Sequence, residues 1–499
     1  MPGACCCHIS APEEPPAKTV IIRVMKKLPL LLLLCLSTPA LGDGLPDLGD
    51  TSQTVLTPLQ ERQIGQQSML QIRSGKQYFD DAEIHDYLNQ IGYKLVENSA
   101  EPSTGFEFFA LDDYNVNAFA MPGGFIGVNA GLLLTAQSES ELAAVLSHEI
   151  AHVTQHHLAR IVAGTQNDSL ASMAALAVAI LAARSNSQVS EAALAGMQAR
   201  SIQSQLDYTR THEQEADRIG FEILLKSGFN THAMPEFLDR LQTATRLLEG
   251  NMPGYLRTHP ITSERVADIA NRVQKQPYRL VPDSLDFQLV RTKLIARQKT
   301  TLDAIAYFSD ALGAQKHGNP IAQRYGLIVS LLRNHETERA AQELAKLRKQ
   351  AKSDPAARRN AMIETLAGRV KRAMHDDATA FYRAAVQDFP QHRALVYDYA
   401  ELLIDGGQAE TAAKLLTEQL VRHPSDTTLY DLQARSYAKL GKRFEQHQAQ
   451  AYGYAWQGRL HAALEQLELA KQSGGNFYQL SVIESDLREL RGMLEANRK

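Results

Sequence analysis

Cysteine is almost missing from this chain. The four cysteines, Cys5, Cys6, Cys7 and Cys35, lie within the first 35 of 499 residues, which excludes a disulfide framework or a thiolate metal site for everything that follows. An excess of positive charge is missing as well: the net charge of −4 argues against nucleic-acid binding and against a strongly basic membrane-facing role. Long apolar runs are also lacking. The two most apolar stretches, 28–36 and 169–183, fall short of the ~20 residues that a membrane-spanning helix needs. No transmembrane span is therefore expected. The second stretch is read as a core helix or a lid over the cleft, with peripheral membrane contact as the alternative.

The first apolar stretch has its own reading. Met25-Lys26-Lys27 opens a charged segment, a leucine-rich run follows, and Ala40-Leu41-Gly42 supplies a small-x-small site, the pattern of a secretory signal cleaved near Gly42. The expectation is a mis-assigned start over 1–24, a signal peptide over 25–42, and an exported mature chain without cysteine, which relies on its core.

The stretch that carries chemistry runs from Glu141 to His156. Leu142, Val145, Leu146, Ile150 and Val153 recur at helical spacing, so His148 and His152 share one face of an amphipathic helix, one turn apart. Two neutral imidazoles at i and i+4 can ligate one Zn²⁺, while Glu149 points about 100° away and can reach a metal-bound water as a general base. A third ligand must come from elsewhere. The metzincin extension is excluded, because Gln155 and Leu158 stand where it requires Gly and His. His156 continues the stripe, but three successive turns rise about 12 Å, beyond the reach of one ion with bonds near ~2 Å. His156 and His157 are therefore read as partly exposed or hydrogen-bonded helix histidines. A downstream acid is needed, and a second amphipathic segment over 208–225 offers Glu213, Glu215 and Asp217 in its first half.

Glu213-Gln-Glu-Ala-Asp217 downstream of His148-Glu149-Ile-Ala-His152 resembles the M48 family of zinc metallopeptidases. The resemblance implies Glu213 as the third ligand to one Zn²⁺ per subunit. It also implies that Asp217, four residues on, accepts the other ring N–H of a ligand histidine and fixes its tautomer. Two further motifs carry the likeness: Asn117-Ala-Phe-Ala-Met-Pro-Gly-Gly124 ahead of the zinc helix, and Thr258-His259-Pro260 with Arg265 five residues beyond. Zincins bind extended substrate as an added strand, so Phe125, Ile126, Gly127 and Val128 are expected to form the substrate edge. His259 and Arg265 are expected to serve as regulatory or oxyanion groups: His259 either occupies the position of the catalytic water and restrains the enzyme, or stabilises the oxyanion. The 169–183 segment and the 252–260 loop are the stretches placed to cover the cleft.

Beyond a linker and lead-in helix over 276–300, a repeat sets in. Pro320, Pro355, Pro390 and Pro424 recur every 34 or 35 residues, with aromatics such as Tyr325, Tyr397 and Tyr430 in first helices and Ala340-Ala341, Ala384-Ala385, Ala412-Ala413 and Ala462-Ala463 in second helices. This resembles tetratricopeptide repeats, helix pairs that bury their apolar faces only by stacking. The second repeat is degenerate, with Leu366-Ala367 where an aromatic belongs. The fold class expected is mainly α: a zincin-like α+β protease domain over 43–275, then an α-solenoid of repeats over 301–499.

An exported M48 protease fused to such repeats is similar to the β-barrel assembly-enhancing proteases of the Gram-negative periplasm. That resemblance implies a periplasmic zinc endopeptidase with a chaperone-like role. Its partners would be unfolded or misassembled outer-membrane proteins, which it degrades, and the β-barrel assembly machinery, engaged through the repeats. The competing reading is a non-proteolytic adaptor or chaperone with a structural zinc site. A structural site normally closes with a fourth protein ligand and has no use for Glu149, so the intact glutamate favours the enzyme.

Overall fold

The computed structural model describes residues 56–163, 199–247, 254–313 and 318–496. The expected false start, the signal peptide and the apolar 169–183 segment lie outside them, as does the beginning of the 252–260 loop. Helix α1 (Pro58–Ser74) starts at a capping box, in which Thr57 accepts the Gln60 N–H and the Gln60 side chain reaches back to the Thr57 N–H. Helix α2 (Ala82–Val96) starts at Asp81, whose carboxylate accepts the N–H groups of Glu83 and Ile84, as a short acidic N-cap does.

Strands β1 (Glu107–Leu111), β2 (Ala118–Met121) and β3 (Phe125–Asn129) form one sheet in the order β1-β3-β2. β3 runs parallel to β1, with Glu107 opposite Phe125, and antiparallel to β2, with Met121 opposite Phe125. The β2–β3 hairpin turns through Pro122-Gly123-Gly124, where Gly123 and Gly124 hold φ of 74° and 87°, a left-handed backbone that glycine adopts without strain. This order corrects the expectation that Phe125, Ile126, Gly127 and Val128 form the substrate edge. β3 is hydrogen-bonded on both sides and all five of its residues are buried; the free edge of the hairpin is β2. Alternation identifies a hairpin, but which of its strands accepts a distant parallel partner depends on the tertiary path of β1.

Helix α3 (Ala130–Thr135) leads into α4 (Glu139–Thr154), which carries the metal motif and starts at Ser138, whose hydroxyl accepts the Glu141 N–H. The chain continues through α5 (His157–Ala163), α6 (Ala199–Lys226), α7 (Ala233–Leu247), α8 (Gly254–Thr258), α9 (Ser263–Val273) and α10 (Leu285–Gln298). Leu142, Leu146 and Ile150 of α4 share a core with Leu88 and Ile91 of α2 and Ile126 and Val128 of β3. α6 crosses α4 closely, because a Cβ on Gly220 would lie 3.0 Å from the Cα of His148. That approach places Glu213 and Asp217, two and one turns earlier on α6, beside the histidine face.

The repeats comprise α11 (Thr301–Gly313), α12 (Pro320–Arg333), α13 (Thr337–Ala351), α14 (Pro355–Arg358), α15 (Ala361–Ala373), α16 (Thr379–Asp388), α17 (Arg393–Asp405), α18 (Ala409–Arg422), α19 (Thr427–Lys439), α20 (Arg443–Trp456), α21 (Leu460–Gln472) and α22 (Phe477–Ala496). Pro320 and Pro355 stand in the first turn of their helices, where the missing N–H costs nothing. Ala340, Ala412 and Ala463 are fully buried where helices stack. On α15 a Cβ at Gly368 would lie 2.4 Å from Tyr382, so the glycine lets the tyrosine of α16 pack closely against this helix.

Helix α10, within the stretch read as linker and lead-in, is deeply packed. Phe287, Leu289, Val290 and Leu294 belong to one core that extends from Phe79 to Val370 and includes Phe308, Tyr325 and Leu331 of the first repeat helices. Lys293 on α10 bridges Asp81 at 2.6 Å and Glu83 at 2.5 Å on α2, and Arg393 on α17 meets Asp86 at 2.7 Å. Among the described residues no helix is long and apolar enough to cross a membrane.

Candidate active site

His148 and His152 face the same way from α4, and their Nε2 atoms lie 3.1 Å apart. Glu213 reaches in from α6, with Oε2 3.3 Å from His148 Nε2 and Oε1 3.5 Å from His152 Nε2. His259, in the turn after α8, completes the group: its Nδ1 is 3.3 Å from His148 Nε2 and 3.0 Å from Glu213 Oε1. Bonds of about 2.0–2.1 Å to four tetrahedral donors set those donors about 3.3–3.4 Å apart. The separations found here have that size. All four side chains are buried, and no other such group occurs among the described residues.

The surroundings favour a cation at the centre of this group. Despite burial, the imidazoles of His259, His148 and His152 gathered around it hold the Glu213 carboxyl well below the usual carboxylate range. Burial opposes charge on His148, yet hydrogen bonding to Asp217 and Glu213 pushes its imidazole up to about 10. The same carboxylates that retain a proton there would stabilise a metal ion. Burial pushes His259 down to about 3, so its ring is neutral and offers a lone pair. The donor set therefore fits a divalent metal of borderline softness.

Behind the four donors lies a brace. Asp217 Oδ1 is 3.0 Å from His148 Nδ1. Arg265 clamps the same carboxylate through Nε at 2.6 Å and Nη2 at 2.8 Å, while its Nη1 meets Glu213 Oε2 at 2.9 Å and the Pro260 carbonyl at 2.8 Å. The Arg265 guanidinium is thus directed at the two acids. Glu149 is fully buried, with Oε1 3.3 Å from His259 Nε2. Tyr255, a residue that sequence reasoning passed over, stacks on the His259 ring with centroids 4.8 Å apart.

A cleft of about 600 Å³ opens beside this group. Its wall includes Ala120, Met121 and Pro122 at the β2 edge, His152 and Glu213, and the acids Glu61 and Glu101. Phe125, Ile126, Gly127 and Val128 are absent from that wall. α4 ends at Thr154, and His156 takes a left-handed φ of 49°. The ring of His156 sits between Glu61 at 3.1 Å and Glu101 at 3.2 Å, and hydrogen bonds to both, that to Glu101 foremost, push its pKa up to about 10. The break also turns His157 back beneath His152. Nothing in the Gln155-His156-His157 string announces this, because the helix ends at Thr154, two residues before the histidine that would have continued the His148–His152 stripe.

Paired helix histidines, an adjoining glutamate and an acid from a second helix around a metal-sized group beside a cleft define a metallopeptidase centre. The description Peptidase family M48 matches residues 83–273, and the description Tetratricopeptide repeat matches 370–436. The chain is 32% identical over 433 residues to the Beta-barrel assembly-enhancing protease of Escherichia coli (strain K12), covering 86% of this chain and 87% of that one. It is 40% identical over 274 residues to the Putative beta-barrel assembly-enhancing protease of Vibrio cholerae, covering 54% of this chain and 56% of that one. Identity to the Mitochondrial metalloendopeptidase OMA1 of Schizosaccharomyces pombe is 28% over 186 residues, 37% of this chain and 51% of that one. The chain belongs to peptidase family M48, as a metalloendopeptidase with a C-terminal tetratricopeptide repeat region.

Proposed function

We propose that this chain is a periplasmic zinc endopeptidase that promotes assembly of outer-membrane β-barrel proteins and degrades those that misassemble. The observation that carries the catalytic part is the set of five separations of 3.0–3.5 Å among the donors of His148, His152, Glu213 and His259, all four within 4.8 Å of one another, with Glu149 beside them. The relatives named for β-barrel assembly, similar over most of this chain, support the choice of substrate. On this reading the catalytic body spans 43–275 and the repeats 301–499, with α10 packed between them, and the repeats offer the surface that engages the assembly machinery. Export by the expected signal peptide completes the proposal.

His148, His152 and Glu213 hold the metal. A zinc held there would supply a more acidic attacking water and polarisation of the scissile carbonyl. Glu149 takes the proton of the attacking water on a carboxylate oxygen and delivers it to the leaving amine. Asp217, held by Arg265, keeps the His148 ring oriented. Extended substrate lies along the free edge of β2, in the cleft wall, and is held by backbone hydrogen bonds.

His259 makes the resting enzyme closed. Its Nδ1 faces the three ligands and its Nε2 faces Glu149, so one ring would supply a fourth donor to the metal and engage the general base together. Cleavage then requires the turn after α8 to move, which ties activity to client binding. A closed four-donor group is also what the adaptor reading predicts, and the buried Glu149 decides against it: a structural site gains nothing from burying a carboxylate beside its ligands. The experiment is casein cleavage by wild type and Glu149→Gln at equal zinc content. Loss of cleavage with zinc retained supports the enzyme; equal cleavage would refute the role of Glu149.

A further inference from the structure

His148 and His152 are oriented by different means. His148 turns its Nδ1 to the Asp217 carboxylate, 3.0 Å away. His152 turns its Nδ1 to another imidazole: His157 Nδ1 lies 2.8 Å from it, and His157 Nε2 lies 3.2 Å from Glu215 Oε2. The same oxygen of Glu215 accepts Arg160 Nη1 at 2.8 Å. His157 is buried, and His212 stacks flat on its ring with centroids 4.3 Å apart and planes 13° from parallel.

We propose that His157 is a positioning residue for the metal site, linking His152 to Glu215 in a histidine–histidine–glutamate relay. The inference rests on the zinc reading above. A neutral imidazole that gives its Nε2 lone pair to a metal carries its proton on Nδ1. His152 Nδ1–H therefore donates, and at 2.8 Å its acceptor is the bare Nδ1 of His157. The His157 proton then sits on Nε2 and is donated to Glu215. Each nitrogen in the chain has one role. The relay carries carboxylate polarisation one imidazole further than at His148, and the His212 stack holds the intermediate ring in the plane that the geometry needs. The backbone break at His156 is what allows it, because on an unbroken helix the residue five positions after His152 would point away from it.

The alternative is a histidine that merely fills space, and paired substitutions separate the two. His157→Phe keeps a flat ring on His212 and removes the acceptor. His157→Asn places its carboxamide oxygen near the position of Nδ1. The full-length apo protein is titrated with zinc against a chromophoric chelator, and thermal unfolding of the zinc-free forms is recorded alongside. Zinc affinity of His157→Phe is expected to fall about 10–100-fold, the range for an outer partner of a ligand histidine, with His157→Asn restored to within about 3-fold of wild type. Should His157→Phe fail to fold, Glu215 supplies the second test at a partly exposed position: Glu215→Ala lowers affinity at least about 3-fold and Glu215→Gln, which keeps an acceptor, does not. Affinity of His157→Phe within about 2-fold of wild type, or equal losses for Phe and Asn, overturns the relay. Failure of wild type itself to bind zinc would instead overturn the parent reading.

Discussion

Removing the His259 imidazole should activate the enzyme. Two protein contacts hold that ring in place. The stack on Tyr255 contributes about 0.5–1.5 kcal/mol, and the protonated Nε2 of the ring faces the buried Glu149 carboxylate 3.3 Å away, a charged contact worth about 1.5–3 kcal/mol. Together they hold the closed form by about 2–4.5 kcal/mol, and with each 1.4 kcal/mol a factor of ten, the open form is about one molecule in 30 to one in 1,600. His259→Ala makes opening unnecessary and also frees Glu149, so basal kcat/KM should rise about 30-fold or more. The assay is hydrolysis of a fluorogenic peptide by wild type and variant at matched zinc content. A fall in kcat with zinc unchanged would assign His259 to the oxyanion and refute the gating argument. Unchanged activity would remove His259 from the reaction altogether.

Two other outcomes follow from packing. Burial pushes the His85 ring, whose Nε2 accepts the Ala110 N–H at 3.3 Å, down to about 4. Below pH ~6.5 the unfolded imidazole takes a proton that the folded one refuses, so acid favours unfolding and this contribution is lost progressively between pH ~6.5 and ~4. Urea titrations at pH 7 and pH 5 should show His85→Gln, which keeps an acceptor, losing about 2 kcal/mol less than wild type on acidification; parallel losses would contradict the assignment. For the domain assignment, a fragment beginning at 276 keeps α10, whose Thr292 side chain packs with Phe308 against Gly326. It should melt cooperatively and at a higher temperature than a fragment beginning at 301, and equal melting temperatures would count against α10 as part of the repeat core.

The fold class was legible because its signals are local or periodic. Apolar spacing around His148 and His152 marks their helix, the Pro320-to-Pro424 period marks the repeats, and Asp81 and Thr262 cap helices as short polar residues do. What escaped the sequence depends on contacts between distant segments. β3 lies at the centre of the sheet because β1 joins it from outside the hairpin, and no residue in 118–129 records that. α10 reads as a connector of mixed polarity, yet Lys293 is drawn inward by Asp81 and Glu83, more than two hundred positions earlier. His157 looked like a helix histidine beside another, and only the end of α4 at Thr154 aims it at His152. Arg265 carried a family motif, but its direction towards Asp217 and Glu213 required the close crossing of α6 over α4 at Gly220.

On the proposed function, one zinc sits among His148, His152 and Glu213, and Glu149 uses it. Metal analysis and casein cleavage on wild type, Glu213→Gln and Glu149→Gln test both halves together. One equivalent of zinc per wild-type chain is expected, with most of it lost from Glu213→Gln. Glu149→Gln should retain the full equivalent while cleavage falls at least about 100-fold. Stoichiometric zinc in Glu213→Gln, or undiminished cleavage by Glu149→Gln, would contradict it.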